Sequence, residues 1–390
     1  MRHAWALALL ATLARAAAAQ DALPADVTYL RLQVERPPVL SDLDPIPEDD
    51  GIAGAQLGRD DNATTGAFLG HDYRLAVIDL PPGGDLPAAA REALESSRLL
   101  ILDAPADALL AVADLAEAED ALLLNVGAPD DRLRDADCRA NLLHTGPSLA
   151  MRADALAQFL QLRRWTSVAL LAGRHPDDTA WADALRRSAE KFGLSLEDDR
   201  EWSFDGDLGR TAQGEIPLLL QDFRDHDVLL VADELGDWGR YVPYNTWEPR
   251  PVAGSEGIVP VAWSPVLENW GASQLQGRFL DLAGRSMRPR DYAAWAAMRA
   301  IGEAVTRTGS ADPATVRAYL LGPDFALDGF KGTPLSFRSW DGQLRQPIAV
   351  VQPRAMIGMA PFEPFLHQVN ELDSLGLDQP ESACAAFGDP

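Results

Sequence analysis

The stretch "RLLILDAPADALLAVADLAEAEDALLLNVG", residues 98–127, decides how the chain is read. Seven residues of near-continuous apolar character, 98–104, are followed by a helical pattern over 105–119, then by a second apolar run, 121–127. Such short runs are buried on both faces, as strands of a parallel sheet are, and the helix between them supplies the crossover. Working outward, "VTYLRLQVER" (27–36) and "YRLAVIDL" (73–80) read as strands. "GIAGAQLGRDDNATTG" (51–66) and "LPAAAREALESS" (86–97) read as helices. Strands alternating with amphipathic helices predict an α/β fold, a mainly parallel sheet with helices on both faces.

The pattern then restarts. "SLAMRADALAQFLQLRRW" (148–165) reads as a helix, "TSVALLAG" (166–173) as a strand and "DDTAWADALRRSAEKFG" (177–193) as a helix stopped by glycine. "DVLLVADE" (227–234) and "GIVPVAWS" (257–264) supply two further strands, and helices follow over 268–283, 290–308 and 313–321. Short strands are expected near 335–338 and 347–351. This gives two α/β lobes. Lobe one spans 20–145 and lobe two 146–264; the chain returns to lobe one over 265–335, and 336–390 crosses again into a tail. The crossings are expected near 144–148, 264–268 and 332–348.

Residues 1–19 have the basic start, apolar stretch and small-residue end of an export signal, which places the mature protein in the periplasm. Removing Arg2 and Arg15 with it takes the formal charge from −25 to −27. So acidic a surface excludes nucleic-acid and anionic-membrane partners, which select basic patches. No later segment is apolar for long enough to span a bilayer. The two cysteines, Cys138 and Cys384, read as one disulfide in an oxidising compartment, tying the tail to the first lobe. No nucleophile elbow, phosphate loop, dinucleotide fingerprint or HExxH spacing occurs, so binding ranks above catalysis and no cofactor is expected.

Two segments carry a resemblance. "GIAGAQLGRDDNATTGAFLG" and "LLHTGPSLAMRADALAQFLQLRRWTSVALLAG" resemble the first helix and the lobe crossover of type I periplasmic binding proteins, the branched-chain amino acid-binding class of ABC importers. "VPYNTWEPRPVAGSEGIVPVAW", "GFKGTPLSFRSWDGQLRQPI" and "FLHQVNELDSLGLDQPESAC" are similar to the subfamily that accompanies PQQ-dependent alcohol dehydrogenases. The resemblance implies a monomeric two-lobe solute-binding protein that partners an ABC permease. It also implies a link to the dehydrogenase, with a non-transporting periplasmic partner of that enzyme as an alternative role, and a lanthanide as one candidate ligand.

Ligands of open α/β sheets bind beyond the carboxyl ends of the strands. The loops at those ends are acidic. They offer Asp42, Asp44 and Asp50 after the first strand, Asp103 and Asp107 after the next buried run, and Asp130 and Asp131 after "ALLLNVG". His175 and Asp177 follow in the second lobe, then Asp233 and Glu234, with Trp263 ending "GIVPVAW". Oxygen-rich loops suit a hard cation or its chelate. A small organic solute such as an amino-acid relative or an alcohol-oxidation product, held against Trp263, is the alternative. Neither "SDLDPIPEDDGIAG" (41–54) nor "DDNATTG" (60–66) keeps calcium-loop spacing. Each of these acids, taken singly, also suits the first turn of a helix.

Overall fold

The computed structural model describes residues 22–36, 44–204 and 208–388. Residues 1–19, read from the sequence as an export signal, and Asp42 lie outside the described residues.

The first sheet is wholly parallel, with order β2-β1-β3-β4-β5. Its strands are β1 (Leu23–Leu32), β2 (His71–Leu80), β3 (Leu99–Asp103), β4 (Leu122–Asn125) and β5 (Leu142–His144). Every residue of β3 and β4 is buried, as their unbroken apolar runs require. Helices α1 (Ile52–Leu69), α2 (Leu86–Leu94) and α3 (Ala106–Ala113) connect them. The helix expected over 105–119 is shorter because Leu115 turns extended, and only a single 3₁₀ turn comes after it, at Ala116–Ala118.

The second sheet has order β7-β6-β8-β9, also parallel. Here α4 (Leu149–Leu162) leads to β6 (Ser167–Ala172), α5 (Pro176–Lys191) to β7 (Ser195–Glu201), and α6 (Leu208–Leu220) to β8 (Val228–Ala232). Its edge is β9 (Val252–Gly254), and this corrects the sequence reading of 257–264. Gly254 (φ 114°) and Gly257 (φ 75°) turn the chain tightly, where an added Cβ would meet Val231 O at 2.3 Å and Val252 O at 2.2 Å. After this turn, β10 (Val259–Val261) leaves the parallel sheet and pairs antiparallel with β13 (Ile348–Gln352).

Beyond β10 come α7 (Ala272–Ala283), α8 (Pro289–Thr308) and α9 (Pro313–Leu320), then the ribbon β11 (Ser336–Phe337) and β12 (Leu344–Arg345). Strands β13 and β14 (Ala355–Ala360) complete a third, antiparallel sheet of order β10-β13-β14. No described helix is long and apolar enough to cross a membrane.

Helix α8 returns to pack on α1, and small residues explain how closely. A Cβ on Gly54 would stand 1.9 Å from Asp291 O, and one on Gly58 would stand 2.8 Å from Met298 Cβ. Asn62 of α1 is buried against Gly302 of α8 and donates to Met298 O at 2.7 Å. The "GIAGAQLGRDDN" run is therefore a helix–helix contact surface. Cys138 and Cys384 are bonded, as the pairing from the sequence requires.

Candidate functional site

Asp44 and Asp49 of the acidic stretch, together with Asp103, meet three arginines from far along the chain. Asp44 accepts Arg288 Nη1 at 3.0 Å, Asp49 accepts Arg285 Nε at 2.8 Å, and Asp103 is paired with Arg290. All three arginines lie in "RSMRPR" (285–290), at the start of α8. Asp103 ends β3, is 1% exposed, and also accepts the Tyr29 hydroxyl at 3.0 Å. Gly127 leaves room for this carboxylate, since a Cβ there would stand 2.5 Å from Asp103 Oδ1. The attraction of Asp103 holds the Arg290 guanidinium firmly charged, against the opposing effect of burial.

Asp50 sits beside this pair and is different. Its Oδ1 is buried with no hydrogen-bond partner among the described residues. Burial, and then the nearby Asp291 carboxylate, raise its pKa to about 6. Arg290 uses Nη1 for Asp103 and forms no other hydrogen bond among the described residues. An acceptor without a donor thus lies next to a guanidinium with donors to spare. Arg36 follows β1, and burial, then the like charge of Arg290, lowers its pKa.

In the second lobe the acids serve the protein itself. Asp233 is 3% exposed and accepts four backbone amides, Gly236 and Asp237 on one oxygen, Trp238 and Gly239 on the other. Burial raises its pKa although the amides oppose this. Glu234 takes Arg152 bidentately, at 2.8 and 3.2 Å, and the Ser255 hydroxyl at 2.9 Å. Burial pushes its pKa up, but Arg152 outweighs burial and the net shift is downward. Arg152 in turn lies over the Trp181 ring at 4.5 Å. His175 is the N-cap of α5, its carbonyl accepting Thr179 N at 2.9 Å, and Asp177 is exposed in the first turn.

The remaining candidates also have partners within the protein. Asp107 and Asp130 both approach Arg132, and Asp131 joins Arg187 of α5 to Ala150 N of α4. Trp263 does not face the loops. It is 1% exposed, stacks on Tyr292 with centroids 4.8 Å apart, and donates to Gln276 Oε1 at 3.1 Å. The cause is the direction of β10, whose carboxyl end points into the first-lobe core instead of to the edge of a parallel sheet. Among the described residues, no group of three or more His, Cys, Asp or Glu side chains is placed to hold a metal ion.

Reading strand ends alone missed Arg36, Arg152, Arg288 and Arg290. A signal existed for the last two. Arginines flanking the first residue of a helix oppose its dipole, so they need anions nearby.

Solved structures place the architecture. A branched-chain amino acid ABC transporter periplasmic ligand-binding protein from Burkholderia xenovorans superposes with a TM-score of 0.72 at 14% identity, covering 93% of this chain and 100% of that one. The fold is that of the type I periplasmic binding proteins. A periplasmic binding protein from Burkholderia mallei shares this binding-protein fold at a TM-score of 0.68 and 14% identity, covering 94% and 100% of the two chains. A solute binding protein from R. palustris in complex with benzoate does so at 0.64 and 12%, covering 93% and 99%. No family model matches the sequence. No curated protein is similar to it in sequence.

Proposed function

We propose that this chain is the periplasmic solute-binding component of an ABC importer, closing its two lobes on a small organic carboxylate and delivering it to a permease. The observation that carries the ligand class is the corner where Asp50 Oδ1 has no partner and Arg290, beside it, is bound through one nitrogen only. Guanidinium donors suit a carboxylate, and the raised Asp50 suits a hydroxyl or ammonium on the same ligand. The objection to a carboxylate ligand, that the first-lobe loops are themselves anionic, is met by the arginines that neutralise Asp44, Asp49 and Asp103. No catalytic role is assigned.

A lanthanide or other hard cation is the competing ligand. Six to eight free oxygens would be needed for it, whereas the carboxylates of Asp44, Asp103, Asp107, Asp131, Asp233 and Glu234 already have partners. The link to PQQ-dependent alcohol oxidation rests on the resemblance of the segments around 242–263, 329–348 and 365–384. It fits a carboxylate formed by alcohol oxidation. Thermal-shift titration with aliphatic and aromatic carboxylates, amino acids, lanthanum and calcium tests the reading. Stabilisation by a carboxylate supports it; stabilisation by the cations alone overturns it.

A further inference from the structure

A cavity of about 170 Å³ lies apart from the strand-end loops, beside the third crossing of the chain. Its wall takes Trp270, Lys331 and Thr333 from segments flanking the late helices, Met359 from β14, and Leu366 and Glu371 from the tail. A void of about 150 Å³ holds a molecule the size of benzene. Lys331 is its unusual member. The side chain is 1% exposed, and its ammonium meets only neutral acceptors, Gln346 Oε1 at 2.8 Å and Pro347 O at 3.1 Å, with the Tyr292 ring at 4.2 Å. No described carboxylate forms an ion pair with it, although Glu371 lines the same cavity.

The backbone around Lys331 is strained. Only three described residues other than glycine have positive φ, and two of them are Trp270 (54°), which lines the cavity, and Phe330 (56°), which precedes Lys331. Gly332 and Gly271, at 80° and 81°, follow Lys331 and Trp270 directly in the chain. A Cβ on Gly332 would stand 2.7 Å from the Trp270 ring, and one on Gly271 would stand 3.0 Å from Phe330. The two strained segments pack together, the indole against Gly332 and the Phe330 ring against Gly271. Strain of this kind, about 1–3 kcal/mol per residue, persists where surroundings over-determine it and concentrates at ligand sites.

We propose that this cavity is a second binding site, for a small organic carboxylate whose charge completes Lys331 and whose apolar body lies between Trp270, Met359 and Leu366. A buried cation without an anion is costly, and an entering carboxylate supplies the missing partner. Burial alone pushes the amine's pKa well below its usual value, which the arriving charge reverses. The ligand would also brace the crossings, because Gln346, which receives Lys331, donates to Thr145 O of the first crossing at 2.8 Å.

The test uses the mature full-length chain with butyrate as probe and n-butanol as its neutral counterpart. Tryptophan emission and thermal unfolding are both read. Butyrate is expected to give a saturable emission change, absent in W270F, with affinity weaker by about tenfold or more in K331M and for n-butanol. K331Q serves if K331M does not fold, and the comparison of butyrate with n-butanol needs no variant. The proposal is overturned by no saturable response, by equal response to n-butanol, or by unchanged affinity in both lysine variants. Loss of the butyrate response in R290M would assign it to the cleft and overturn the second site. R290M that keeps this response but loses cleft ligands supports two independent sites.

Discussion

Tyr29 on β1 donates its hydroxyl to Asp103 at the end of β3, 3.0 Å away, while Arg290 from the start of α8 closes on the same carboxylate. Residues 187 positions apart are thereby joined at the edge of the sheet. Replacing Asp103 by alanine leaves the guanidinium without its anion. Loss of a fully buried partner costs about 3–5 kcal/mol, and since the Arg290 side chain is 38% exposed the expected loss is smaller, about 2–3 kcal/mol. Urea unfolding of D103A measures it, and a change under about 0.5 kcal/mol would contradict the assignment.

Asp50 makes stability depend on pH. Its folded pKa, about 6, lies above the ordinary 3.8, so the folded state holds the proton longer than the unfolded chain does. Stability contributed by this group is full below about pH 4 and is lost as pH rises through 6. The span is about 2 units, or about 3 kcal/mol. D50N removes this dependence, so unfolding free energies of wild type and D50N, compared from pH 4 to 8, should diverge with the variant more stable at the alkaline end. Parallel curves would contradict the shift.

The tail is held by a buried charge cluster. Arg338 and Asp373 are 2% and 3% exposed and meet at 2.9 Å, Arg345 reaches Asp373 at 2.7 Å, and Arg338 also donates to Leu375 O and Leu377 O. D373A leaves Arg345 without its carboxylate and Arg338 with Asp341 alone, and a loss of about 3 kcal/mol is expected, with earlier protease cleavage after residue 360. Denaturation and limited proteolysis report the two effects separately.

The Cys138–Cys384 bond closes a separation of 246 residues. Its removal in C138S/C384S should cost about 2–5 kcal/mol. Both thiols of the unfolded exported protein should resist labelling until a reductant is added. Labelling without reductant would show that the bond does not form.

The fold was legible because its strands announce themselves. β3, β4, β6 and β8 are apolar runs buried on both faces, and the crossovers between them are amphipathic. β7, "SLEDDRE", was not legible, since it is a polar edge strand with little burial to mark it. β9 was hidden because three residues ending in Gly254 carry no period. In the site, the strand-end rule located Asp103 and Asp50 but not what they touch. Arg290 arrives from α8, and although its place at a helix start calls for an anion, a pairing across so long a separation leaves no local pattern that names the partner. Trp263 was misplaced because "GIVPVAWS" has the composition of a central strand, while Gly254 and Gly257 turn it out of the parallel sheet to pair with β13.

Isothermal titration calorimetry on the mature protein and on R290M tests the central claim most directly, with aliphatic and aromatic carboxylates, amino acids and lanthanum chloride as titrants. The account predicts saturable heat from a carboxylate in the wild type, lowered in affinity by about a hundredfold or more in R290M, and none from lanthanum. Saturable heat from lanthanum with none from any carboxylate, or every carboxylate binding as tightly to R290M as to the wild type, would contradict it.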